Sequence, residues 1–309
     1  PTFGPNGQNV GVSPAPERRR PPARRRQGAR RLPPWAWLLV AVGVLTLAGV
    51  AFTRGGGGES RTQRAEAAPV ANLHTDMRDE LGPRDKELVR LARKGGSVLA
   101  GGGTRPVVAL TFDDGPDEYT DRIVDELDRL HVPATFFVLG KMVGEHPEAL
   151  AHVVASGHEV AIHSWDHPDL RTLSADRVRA QIVDTEKAVT EATGTAPRLF
   201  RPPYGAVDAA VLGRIQAARL VTVLWDVDTN DWQRPGPEAI AQTAVQNAKP
   251  GSIILMHDGG GDRSQTLAAL PLIVKGLRAR GFDFGTVGDL LVSDPPRTGN
   301  VTSVQDYAN

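Results

Sequence analysis

Between residues 104 and 292 short apolar runs alternate with amphipathic stretches. Residues 107–110 form an unbroken apolar run that reads as a strand through Thr111. Residues 119–131 follow, with Ile123, Leu127 and Leu130 on one helical face. The alternation continues with strands at 134–138, 159–163, 199–201, 221–225 and 252–256. Helices are predicted over 147–156, 208–219, 237–248 and 266–280, with a last one from about Val287. Ser174 reads as the N-cap of a longer helix that turns Val178, Ile182 and Val189 inward. Pro237 suits the first turn of its helix. Repeated βα units predict an α/β fold with a mostly parallel sheet covered by helices. An open sheet and a barrel both satisfy this order.

The first part of the chain has a different pattern. Residues 1–34 are rich in Pro, Gly and Arg without apolar periodicity and read as a disordered tail. Residues 35–52 are almost wholly apolar and uncharged. As a helix they would span about 27 Å, close to the hydrocarbon thickness of a membrane. Eight arginines between Arg18 and Arg31 precede this stretch and only Arg54 follows closely. By the positive-inside rule the tail is cytoplasmic and the rest extracytoplasmic. A signal peptide cleaved after Gly49-Val50-Ala51, giving a secreted protein, is the alternative. The span accounts for the arginines, so nucleic acid is not expected as a partner. Residues 53–103 read as a linker or stalk, residues 104–292 as the catalytic domain, and residues 293–309 as a polar tail.

The chain has no cysteine, which excludes disulfides, thiolate metal sites and a cysteine nucleophile. Its chemistry gathers instead in five polar clusters at strand ends, where parallel α/β folds build their sites. Thr111-Phe112-Asp113-Asp114-Gly115 ends the first strand. The side chains of adjacent residues point different ways, so one carboxylate can hold a metal while the other faces the reacting atoms. His163-Ser164-Trp165-Asp166-His167 offers two histidines that can converge on one cation, and Asp166 lies between them. Two histidines and one carboxylate leave an open position, as in catalytic zinc sites. In Arg201-Pro202-Pro203-Tyr204-Gly205 the prolines fix the backbone, leaving the Tyr204 N–H to aim at a developing oxyanion. Asp226-Val227-Asp228-Thr229-Asn230-Asp231-Trp232 is too acidic for a strand interior. Leu255-Met256-His257-Asp258 brings a histidine out of an apolar run.

These five blocks, in this order, resemble the polysaccharide deacetylases of carbohydrate esterase family 4, the NodB-homology domain. The family patterns TFDDG, H[ST]xxH, RxPY, DxxDW and LxH all occur. The resemblance implies a distorted (β/α) barrel. It implies that Asp114, His163 and His167 bind one divalent metal, usually Zn²⁺, with Co²⁺, Ni²⁺ and Mn²⁺ as alternatives. It implies Asp113 as general base, His257 as general acid, Arg201 as the partner of Asp113, and Asp231 as the group orienting His257. Trp232, Leu255 and Pro202 would shape the substrate wall, and Tyr204 would contribute its N–H. The implied activity is removal of N-acetyl groups from a wall glycan, with peptidoglycan GlcNAc favoured by the expected anchor. Chitin-type oligomers and O-acetylated xylan are alternatives, as is a glycan-binding domain without turnover. A glycosidase with paired carboxylates would leave the two histidines unexplained.

Overall fold

The computed structural model describes residues 81–302. The expected tail (1–34), the apolar span (35–52) and most of the stalk lie outside the described residues, as do residues 303–309. Among the described residues no helix is long and apolar enough to cross a membrane.

The chain runs α1 (Pro83–Lys94), β1 (Ser97–Val98), β2 (Val107–Asp113), α2 (Thr120–Leu130), β3 (Ala134–Val138), α3 (Gly140–Glu145), α4 (Pro147–Ala155) and β4 (Glu159–Ile162). It continues with α5 (Ala175–Thr193), β5 (Leu199–Phe200), α6 (Ala209–Ala217), β6 (Val221–Val223) and β7 (Val227–Asp228). The last elements are α7 (Pro237–Asn247), β8 (Ile253–His257), α8 (Ser264–Ala279), β9 (Asp283–Phe284), α9 (Val287–Ser293) and β10 (Val301–Thr302). Strand order is β10-β1-β6-β5-β4-β3-β2-β8-β7, with β9 joining the start of β2. All pairs are parallel except β1 with β10.

The sheet is curled, and connectivity requires it. In a flat sheet β6 and β7 would stand about 29 Å apart, six strand spacings. Only Leu224, Trp225 and Asp226 join them, and so short a link reaches about 14 Å. Asp226 fixes this crossing by accepting the Ile253 N–H and the Ser252 hydroxyl, both at 2.8 Å. The choice between open sheet and barrel, which periodicity left undecided, therefore falls to a curled, barrel-like sheet.

Alternation along the strands separates two apolar clusters. Leu110, Phe112, Phe136, Val138, Ile162, Phe200, Ile254 and Met256 face the helix layer. Ala109, Phe137, Ala161, Leu199, Val223 and Ile253 face inward, where Leu88 and Leu91 of α1 and Leu290 and Leu291 of α9 join them. Segment 83–98, read from sequence as stalk, thus supplies a helix to this inner cluster and a strand to the sheet. Segment 226–232, judged too acidic for a strand, contributes β7, because Asp228 sits at the open strand end and accepts the Asn230 N–H. Ser174 does occupy the N-cap of α5, without a side-chain capping bond.

Candidate active site

The inner-face parity that buries Ala109 and Phe137 also delivers the polar groups. Asp113 on β2 and His257 on β8 are register partners on that face. His163 and Arg201 follow β4 and β5 directly, two residues beyond Ala161 and Leu199. Four of the five sequence clusters therefore converge at one end of the sheet through period-two alternation alone. The fifth arrives when the β6–β7 crossing sets Asp231 beside β8.

Arg201 is fully buried and lies over the Phe137 ring, 4.0 Å from its centroid. One guanidinium nitrogen donates to Asp113 Oδ1 at 2.7 Å and Thr111 Oγ1 at 2.8 Å, and another to the Leu224 carbonyl at 3.1 Å. Burial raises the Asp113 pKa, and the charge of Arg201 and that of His257 oppose the rise.

Asp114, His163 and His167 form an adjoining group, with His163 Nε2 also 3.7 Å from Asp113 Oδ2. Asp114 Oδ1 lies 3.7 Å from His163 Nε2 and 3.4 Å from His167 Nε2. That oxygen is buried with no hydrogen-bond partner, an arrangement disfavoured unless something polar fills the gap. The Nδ1 of His163 is engaged by the Arg201 carbonyl at 2.7 Å, which turns Nε2 inward with a free lone pair. Burial pushes the His163 pKa down to about 3, so the imidazole is neutral at physiological pH, the form that ligates a metal. One oxygen and two nitrogens, all within 4.8 Å of one another, fit a small divalent cation. Among the described residues this is the one such group.

Its backbone is unusual. Asp114, Ser164 and His167 have φ of 77°, 73° and 64°, a region non-glycine residues seldom occupy, at roughly 1–3 kcal/mol each.

His257 sits across from this group. Its Nδ1 lies 2.7 Å from Asp231 Oδ1, and its backbone N–H donates to Asp231 Oδ2 at 2.9 Å. Thr266 donates its hydroxyl to the same Oδ2 at 2.7 Å. Burial lowers the His257 pKa, but the bond to Asp231 and the charges of Asp231, Asp113 and Asp114 outweigh it, and the net shift is upward. Asp231 answers in kind, its bonds and charge partner overcoming burial to lower its pKa.

Tyr204 has φ 60° and is 68 % exposed, its ring edge-on to His167 at 4.5 Å. No described residue accepts its backbone N–H. Pro202 and Leu255 are buried, whereas Trp232 is 54 % exposed at the rim. Asp166 is turned toward Gln181, which donates to it at 2.6 Å. Sequence reasoning missed Gln181 and Thr266, lone polar residues in otherwise ordinary helix patterns, and gave Thr111 of the first cluster no role, although it accepts from Arg201. A cleft of about 300 Å³ at the opposite strand ends is lined by Arg84, Asp85, Glu159 and Arg198. Its charges pair with one another, and it holds none of the groups above.

Residues 100–223 match the polysaccharide deacetylase family model. The peptidoglycan-N-acetylglucosamine deacetylase of Bacillus cereus is 42% identical over 188 residues, covering 60% of this chain and 88% of that protein. The chitooligosaccharide deacetylase of Rhizobium leguminosarum bv. trifolii is 41% identical over 187 residues, covering 57% and 87%. The crystal structure of the Bc1960 peptidoglycan N-acetylglucosamine deacetylase superposes with a TM-score of 0.63 at 34% identity, covering 66% of this chain and 96% of that one. The chain belongs to the polysaccharide deacetylase family and is an enzyme of that class. The family match ends at β6. The structure adds β7, β8 and the Asp231–His257 pair to the site.

Proposed function

We propose that the protein is a metal-dependent amidohydrolase that removes acetyl groups from GlcNAc residues of peptidoglycan. The observation that carries this reading is the buried, unpartnered Asp114 Oδ1 facing two histidine nitrogens, flanked by Asp113 and His257 on neighbouring strands. Asp114, His163 and His167 would hold the cation, Zn²⁺ by donor type. When bound it supplies a Lewis acid that polarises the acyl oxygen and acidifies water.

The protein's own groups do the rest. Asp113 takes the proton as water attacks the amide carbon, and Arg201 aims that carboxylate and opposes the rise in its pKa that burial causes. The Tyr204 N–H donates to the developing oxyanion, a contribution of about 3–4 kcal/mol where measured elsewhere. His257 gives its proton to the departing amine, which cannot leave as an anion. Asp231 stabilises the imidazolium until then. Trp232, exposed at the rim, offers an apolar face to the sugar ring.

GlcNAc in peptidoglycan is the favoured substrate because the Bacillus cereus relative bears that name over 88% of its length. Chitin-type oligomers are the second reading, on the comparable likeness to the rhizobial protein. We further take residues 35–52 as a membrane anchor that sets the catalytic domain on the outer side, near the wall.

The test is to incubate the protein with peptidoglycan and with chitooligosaccharide, with and without EDTA, and to measure acetate against new reducing ends. Acetate release that stops with EDTA and returns with zinc supports the proposal. New reducing ends, or turnover indifferent to EDTA, sink it. Mass spectrometry of the wall fragments then assigns the deacetylated sugar.

A further inference from the structure

We infer that Gln181 is a positioning residue for the metal ligand His167, and that it sets the affinity of the site. This inference rests on the metal-dependent reading above. The two histidine ligands are held differently. His163 has its ring locked by the Arg201 carbonyl at Nδ1. The His167 Nδ1 has no such partner among the described residues, and the ring makes only packing contacts, edge-on to Tyr204 at 4.5 Å and tilted against His163 at 5.0 Å. The position of His167 Nε2 is therefore set mainly by the backbone of the loop that carries it.

That loop is strained, with Ser164 and His167 both at positive φ, and strained backbone persists only where its surroundings over-determine it. Within the site the Ser164 hydroxyl oxygen accepts the His167 N–H at 3.1 Å and the Tyr204 hydroxyl donates to the His167 carbonyl at 3.4 Å, and two helices brace the loop from outside. From one side the Gly140 and Lys141 N–H groups at the start of α3 donate to the Ser164 and Trp165 carbonyls, each at 3.0 Å. From the other, Gln181 of α5 uses both ends of its amide. Its Oε1 accepts the Trp165 N–H at 2.7 Å and the Asp166 N–H at 3.3 Å, and its Nε2 donates to Asp166 Oδ1 at 2.6 Å. Gln181 is buried at 7% exposure, so water cannot easily replace these bonds. It touches neither histidine. It acts through the loop, as outer-shell partners orient ligands elsewhere.

The hydrogen-bond pattern permits a test by exchange. In Gln181→Leu the Trp165 and Asp166 N–H groups lose their acceptor, and zinc affinity falls about 10- to 100-fold. Gln181→Glu keeps the acceptor but sets two carboxylates against each other, and affinity also falls. Combining Gln181→Glu with Asp166→Asn reverses donor and acceptor, and affinity returns to near the parental value. The measurement is zinc binding by competition with a chromogenic chelator, beside the melting temperature of each metal-free protein. Parental affinity in Gln181→Leu, or a double variant no tighter than Gln181→Glu, overturns the inference. So does a lowered metal-free melting temperature with unchanged zinc affinity, the mark of a merely structural residue. If Gln181→Leu does not fold, the Glu and Glu/Asn pair decides. Failure of the parental protein to bind zinc would instead sink the metal-dependent reading itself.

Discussion

Asp231 holds His257 at two points, taking the ring Nδ1–H on one oxygen and the backbone N–H on the other. The grip fixes the rotation of the imidazole and leaves Nε2 free. It also keeps the ring protonated to higher pH than a buried histidine would otherwise be. In the proposed mechanism His257 must be charged to protonate the amine, so turnover should fall as pH rises through its pKa. Asp231→Asn removes the negative charge while keeping an acceptor. The alkaline limb of the kcat profile should move to lower pH and kcat should drop about 10²-fold or more. An alkaline limb that stays in place would mean another group donates the proton.

Arg201 works on Asp113 in the opposite sense. Burial raises the Asp113 pKa, and the guanidinium is the chief force against it. In Arg201→Met that opposition disappears, so the base is protonated over a wider acidic range. The acid limb of kcat/KM should move to higher pH. Removing one partner of a buried pair should also cost about 3–5 kcal/mol of stability, read in urea. Arg201→Lys keeps the charge, so its limb should move less, although the bonds to Thr111 and the Leu224 carbonyl are compromised. An acid limb unmoved in Arg201→Met would detach Asp113 from the rate.

Asp113, His163, Arg201 and His257 were readable because each ends or directly follows an apolar strand, whereas His167 and Asp231 stand in the loops beyond β4 and β7. Their roles were implied by the family resemblance of the five blocks, and the fold brings them together, four blocks by strand parity and the fifth by the β6–β7 crossing. What supports them was not readable. Gln181 looks like any polar residue of α5, and Thr266 sits in the first turn of an amphipathic helix. Only the fold reveals that one accepts from the loop carrying His163 and His167 and the other donates to Asp231. Strands β1, β9 and β10 are two residues each, too short to express a period. β7 was missed because Asp226 and Asp228 flank its apolar residue, one bonded to β8 and the other at the open strand end.

The proposed mechanism gives the neighbours Asp113 and Asp114 separate tasks, and single substitutions should part them. Asp113→Asn and His257→Ala should each lower deacetylation about 10²–10⁴-fold while zinc still binds. Asp114→Asn should weaken zinc itself, because Oδ1 faces both imidazole nitrogens. Equilibrium dialysis beside the acetate assay separates the two patterns. Near-normal turnover in Asp113→Asn or His257→Ala would remove the assigned base or acid.

Asp258 carries a pH dependence of stability that the reaction does not need. It is fully buried, accepts the Thr120 hydroxyl at 2.5 Å on Oδ2, and leaves Oδ1 without a partner. Burial, with the charges of Asp114 and Asp113, raises its pKa to about 7. A carboxyl whose folded pKa exceeds its unfolded value stabilises below the unfolded pKa, and that stability is lost as pH rises through the folded one. The metal-free protein should therefore lose stability between about pH 4 and pH 7 on this account. His163 acts oppositely, since its lowered pKa removes stability as pH falls from about 6.5 toward 3. The two partly cancel in the parent, so the difference between variants is the informative quantity. Asp258→Asn cannot ionise and still accepts from Thr120. In urea, chelator-treated Asp258→Asn should exceed the parent by a few kcal/mol above pH 7, at about 1.4 kcal/mol per pKa unit. That advantage should vanish toward pH 4. A constant difference across this range would show that Asp258 does not titrate there.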